Sequence, residues 1–72
     1  MKLKNKVKEL RARFNLTQME LAKRIGVSRQ TISLIERGDY SPSIVIVLKL
    51  AKEFDVTVEE IFKLEEENNN EC

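Results

Sequence analysis

SRQTISLIERG, running from Ser28 to Gly38, is the stretch that organises the rest of the chain. Serine is a favoured helix N-cap, and glycine takes the left-handed conformation that ends a helix without steric cost. The residues between them make a little over two helical turns. At about 100° per residue, Ile32 and Ile35 define one side. Gln30, Ser33, Leu34 and Arg37 point roughly the other way, with Arg29 and Glu36 near the boundary. A helix that had only to bury one face would not need that polar set.

The stretch upstream supplies a second helix. In LTQMEL (residues 16–21), Thr17 is placed to cap while Glu20 reaches back to the cap amide, and Leu16 and Leu21 form a hydrophobic staple. Leu21, Ala22 and Ile25 give the buried stripe, and Gly26 ends the helix. Val27 and Ser28 restart the chain at once, with Val27 stapled to Ile32. Two short helices about a tight glycine turn are a helix-turn-helix, whose second helix can enter the DNA major groove. The polar face then has a use. Arginine pairs with O6 and N7 of guanine and glutamine with N6 and N7 of adenine, both bidentately, and an apolar Leu34 can meet a thymine methyl.

The flanks extend this into a bundle. Leu3, Val7, Leu10 and Phe14 make one apolar helical stripe, and Asn15 stands where that helix ends in a left-handed residue. GDYSPS is turn chemistry, with Pro42 suited to the first turn of a fourth helix. SIVIVLKLAKEF (43–54) favours a strand on propensity, yet Ile44, Val47, Leu50, Ala51 and Phe54 keep helical spacing over a run long for a strand, which predicts a helix. VTVEEI repeats the grammar of LTQMEL and opens a short fifth helix ending near Leu64. The expectation is an all-α, compact five-helix bundle over residues 1–64, with helices two and three as the helix-turn-helix. Residues 65–72 read as an acidic, disordered tail.

Composition narrows the function. The net charge of +1 hides an asymmetry: residues 1–37 carry ten cations against three acids, and residues 38–72 carry three against nine. A basic half points to a polyanionic partner. There is no histidine, and the single cysteine, Cys72, permits neither an intramolecular disulfide nor a zinc site. No signal peptide and no apolar run near the roughly 20 residues of a membrane span can be read, so the expected setting is the cytoplasm. No nucleophile–base pair, metal cluster or phosphate-cradling glycine loop argues for an enzyme, a cofactor or a small-molecule ligand.

LTQMELAKRIGVSRQTISLIERGDYSPS resembles the Cro/repressor-type (Xre-like) helix-turn-helix family of bacterial, archaeal and phage DNA-binding proteins. The shared elements are the TQ-x-x-LA opening, the GVS turn, the TIS-x-IE-x-G helix and the proline that follows. The resemblance extends over roughly residues 3–64. It implies base contacts from Arg29, Gln30, Ser33 and Leu34. It implies backbone contacts from Gln18, Arg37, Tyr40 and Ser41, together with the helix N-termini capped by Thr17 and Ser28. Arg11 and Glu36 match a partly buried salt bridge, and Gln18 a residue that braces the recognition helix. Asp39 departs from the basic residues common in that loop. The expected function is sequence-specific binding of double-stranded DNA by a transcriptional regulator, a repressor on a palindromic operator. The rivals are a DNA-binding antitoxin and a protein–protein adaptor. Surplus apolar residues on helices four and five point to a homodimer, with Ile46, Phe62 and Leu64 at its interface.

Overall fold

Side-chain caps and left-handed residues set the boundaries of most helices. The computed structural model describes residues 2–65, in the order β1 (Lys2–Asn5), α1 (Val7–Arg13), α2 (Gln18–Ile25), α3 (Arg29–Arg37), α4 (Ile44–Phe54), α5 (Val58–Ile61) and β2 (Phe62–Glu65). Thr17 Oγ1 accepts from the Glu20 amide at 3.0 Å while Glu20 Oε1 accepts from the Thr17 amide at 2.8 Å, a closed capping box. Thr57 and Glu60 repeat it on α5. Ser28 and Ser43 cap α3 and α4 by accepting from Thr31 and Ile46 amides. Gly26 (φ 76°) and Gly38 (φ 78°) end α2 and α3, and Asn15 (φ 58°) turns the chain after α1.

The helices close around one core. Val7, Leu21, Ile32, Ile35, Leu50, Phe54 and Ile61 are buried almost completely, drawn from all five helices. Burial of a large aliphatic or aromatic side chain stabilises by about 1.5–3 kcal/mol. This small core therefore carries the fold without a disulfide.

The five helices stand as expected, but the segments that flank them do not. Residues 2–5 and 62–65 form an antiparallel pair with Leu3 opposite Leu64 and Asn5 opposite Phe62. Leu3 thus belongs to a strand and not to the stripe of α1, and the fifth helix stops at Ile61 rather than near Leu64. Leu3 fits both periods, four before Val7 and alternating with Lys2 and Lys4. The long-range partner decides between them. Glu65, expected to begin the tail, is the last residue of β2, and the rest of that tail, residues 66–72, lies outside the described residues.

Three further expectations are corrected. Pro42 precedes the cap Ser43 and so stands outside the first turn of α4. Phe14 is half exposed, with its ring stacked on Phe54 at 5.7 Å between centroids. Ile44 faces outward at 66% exposure, beside Val45 and Leu48 at 56% each. The two charge halves also interleave in space: Lys4 pairs with Glu65 at 3.4 Å and Arg24 with Glu53 at 2.9 Å.

Candidate nucleic-acid interface

The face built from α2 and α3 is organised by one buried carboxylate. Glu36, in the last turn of α3, accepts from Arg11 Nε at 2.7 Å, Arg11 Nη2 at 3.2 Å and Gln18 Nε2 at 3.0 Å. Its side chain is 7% exposed and that of Arg11 16%. A charge so desolvated needs partners, and a bidentate guanidinium is the strongest available. Arg11 spends its remaining reach on the Leu16 carbonyl at 2.9 Å, which ties the α1–α2 turn to the same knot.

The knot extends to the surface through Gln18. Its Nε2 is committed to Glu36, so its Oε1 faces outward and accepts from Arg29 Nη1 at 3.2 Å. A carboxylate acceptor thereby fixes the orientation of an amide, and the amide holds an exposed arginine at the N-terminus of α3. Arg29 and Gln30 are exposed, Ser33 and Leu34 half-buried, and Ile32 and Ile35 buried behind them. A short polar strip thus stands on the outer side of a helix whose inner side is fully packed.

The flanking groups divide by environment. Thr17 and Ser28 are exposed and use their hydroxyl oxygens as caps, at the amide-rich starts of α2 and α3 where an anion is favoured. Arg37, Tyr40 and Ser41 are exposed around the end of α3. Arg37 Nε lies 3.2 Å from Asp39 Oδ2, so the loop cation is partly neutralised by its neighbour. Glu20, at the edge of the face, is held below its usual carboxylate range. The Thr17 amide that donates to it is the main cause, followed by the Thr17 hydroxyl, with Arg24 and Lys23 adding attraction and desolvation opposing.

Of the residues expected at a dimer interface, Leu64 is exposed, Ile46 is half-buried against the core, and Phe62 is in the core at 9% exposure. Phe62, the first residue of β2, packs with the core cluster and is not part of the exposed apolar surface expected of it. Three of the exposed large apolar side chains, Ile44, Val45 and Leu48, lie together on α4. Val47, Leu50 and Phe54 face the core. At about 100° per residue, Ile44, Val45 and Leu48 come out on the other side.

Sequence reasoning missed two polar groups that hold the frame. Asn5 Nδ2 donates to the Ile35 carbonyl at 2.8 Å, and Lys49 Nζ donates to the Ile25 carbonyl at 3.3 Å. Both serve helix C-termini, where donors satisfy orphan carbonyls. Neither partner is local in sequence, so no spacing signals them. Among the described residues there is no acidic, cysteine or histidine cluster able to hold a metal, and no helix long and apolar enough to cross a membrane.

Comparison with known proteins places this geometry among relatives. The family model HTH_3, described as helix-turn-helix, matches residues 7–61. The chain is 54% identical over 66 residues to the uncharacterized HTH-type transcriptional regulator YgzD of Bacillus subtilis, covering 92% of this chain and 100% of that one. It is also 54% identical over 65 residues to the uncharacterized HTH-type transcriptional regulator MJ0272 of Methanocaldococcus jannaschii, covering 90% and 98%. Among solved structures, the restriction-modification controller protein C.AhdI of Aeromonas hydrophila superposes with a TM-score of 0.69 at 37% identity, over 75% of this chain and 82% of that one.

Proposed function

The chain belongs to the helix-turn-helix family HTH_3, whose members here are DNA-binding transcriptional regulators and not enzymes, and from that premise we propose that it represses transcription by occupying a palindromic operator as a homodimer in the cytoplasm. The observation that carries the reading is the tethered arginine. Arg29 stands at the N-terminus of α3, held by Gln18, which is held in turn by the buried Glu36. Preorganising a long side chain at the end of a helix that enters the groove lowers the entropy cost of base contact.

In this reading Arg29 and Gln30 read base edges, with Ser33 and Leu34 completing the strip. Gln18, the capped starts at Thr17 and Ser28, and Arg37, Tyr40 and Ser41 hold the sugar-phosphate backbone. One such strip covers only a few base pairs. A two-fold pair spaces its half-sites roughly 34–36 Å apart on one side of the duplex. The dimer face is the outer side of α4, Ile44, Val45 and Leu48, with Ile46 at its margin and Leu64 a further exposed apolar group. A contiguous apolar patch on so small a domain is covered by a second copy in a self-complementary, two-fold manner.

Fluorescence anisotropy on labelled duplex tests the DNA function. The logarithm of the affinity should fall linearly with log salt, and a selected operator should retain a large advantage over random DNA. Binding indifferent to both salt and sequence would reject it. Sedimentation at micromolar concentration tests the assembly: a dimer for the wild type, a monomer for Leu48→Glu. A wild-type chain that stays monomeric both alone and on DNA would remove the homodimer.

A further inference from the structure

Asn5 occupies a junction that neither the helix-turn-helix nor the core requires. It is half-buried at the end of β1. Its Oδ1 accepts from the Val7 amide at 3.1 Å, opening α1, and its Nδ2 donates to the Ile35 carbonyl at 2.8 Å in the last turn of α3. Val7 N–H can only donate and the Ile35 carbonyl can only accept, so the two sides of the amide are fixed. Only a side chain with one donor and one acceptor at this length satisfies both.

The Ile35 carbonyl also accepts from the Gly38 amide at 3.0 Å. Asn5 and the left-handed Gly38 therefore meet at one oxygen and together set how the chain leaves α3 toward Asp39, Tyr40 and Ser41. The strand itself lies against that exit, since a Cβ on Gly38 would stand 3.9 Å from the Leu3 carbonyl. On its other side β1 is anchored by β2, and the Lys6 amide donates to the Ile61 carbonyl at 2.8 Å.

We infer that Asn5 is a positioning residue for DNA reading: it locks the C-terminal turn of α3 and the loop after it to the β1–β2 pair, so that the recognition helix and the backbone-contacting loop meet the duplex in one fixed register. The role rests on the DNA-reading function proposed above. Specific binding needs that register, whereas non-specific binding, carried by charge and mobile side chains, does not.

The test uses the full chain, an operator selected from a random DNA pool, and random duplex. Asn5→Asp keeps the acceptor for Val7 and loses the donor to Ile35. Measured where circular dichroism shows the variant fully folded, it should lose operator affinity by about tenfold, the equivalent of one hydrogen bond left unmade. Affinity for random duplex should fall only by what one added carboxylate repels, severalfold less than the loss on operator. Amide exchange should accelerate at Gly38 and Asp39 and stay slow in α1. Asn5→Ala, which adds no charge, carries the same expectation for DNA should Asn5→Asp fail to fold. A folded variant with wild-type operator affinity overturns the role, as does equal loss on operator and random duplex, which would mark a purely structural contact. A wild-type chain that prefers no sequence would overturn the DNA-reading function itself and this role with it.

Discussion

Removing the Arg11 guanidinium should show how much the knot beneath the recognition helix contributes. Arg11→Met leaves the buried Glu36 carboxylate with Gln18 as its remaining partner and leaves the Leu16 carbonyl without its side-chain donor. Breaking a buried pair from one side costs about 3–5 kcal/mol. Arg11 keeps 16% of its side-chain exposure, so water compensates in part and the lower end, about 3 kcal/mol, applies. For a 72-residue domain, total stability is of the order of 4–11 kcal/mol. The loss thus corresponds to a drop in Tm of about 12–24 °C. Urea denaturation of Arg11→Met, Glu36→Leu and the double variant separates the pair from its parts. Because the double variant buries no lone charge, it should be more stable than additivity predicts, by about 2 kcal/mol or more. A coupling below about 0.5 kcal/mol, the scale of an exposed ion pair, would refute the assignment of Glu36 as a desolvated anchor.

Other perturbations should act on single features. Glu20 has its folded pKa depressed below the ordinary 4.5, so its contribution is complete above that value and is lost as pH falls through the folded pKa. Melts from pH 7 to pH 3 should show Glu20→Gln less stable than wild type at pH 7 and the difference closing in acid; a constant difference would show that the cap carboxylate is not the titrating group. Asp39→Asn removes the counter-charge beside Arg37 and should raise affinity for operator and random duplex alike, steepening the salt slope by about 0.9 if Arg37 then meets a phosphate. An unchanged slope would place the loop off the DNA. Phe62→Ala should cost about 3–5 kcal/mol in a denaturation curve while leaving dimer formation by the folded chain intact. A selective loss of the dimer would return Phe62 to the interface.

Local grammar made most of the fold legible. Thr17 with Glu20, Thr57 with Glu60, Ser28 before α3 and the glycines at 26 and 38 are decided by neighbours within a turn, and each stands where its sequence signal put it. What sequence could not show was settled across the chain. Leu3 fits a helix period and a strand period equally, and only its partner Leu64, near the other end, makes it a strand. Helix four offered more apolar residues than one face uses, and periodicity admitted Ile44 to the stripe. Packing admitted Val47, Leu50 and Phe54 and turned Ile44 outward. Phe62 looked like surplus on a fifth helix read as far as Leu64, whereas the chain switches to a strand after Ile61 and folds the ring inward. At the site, the residue types on α3 could be read from a wheel. The contact of Asn5 with Ile35 could not, because a donor and a carbonyl 30 residues apart leave no pattern.

DNA recognition by this chain turns on α3 reading bases through Arg29. Parallel selections from one random duplex pool, with the wild type and Arg29→Ala, test it most directly. The wild type should return a palindrome with half-sites about 34–36 Å apart. Arg29→Ala should return the same palindrome with preference lost at one symmetry-related base position, a cost of about 1–3 kcal/mol there. Two identical motifs, with the variant merely weaker on every sequence, would rule out base reading by Arg29 and reduce it to a phosphate clamp.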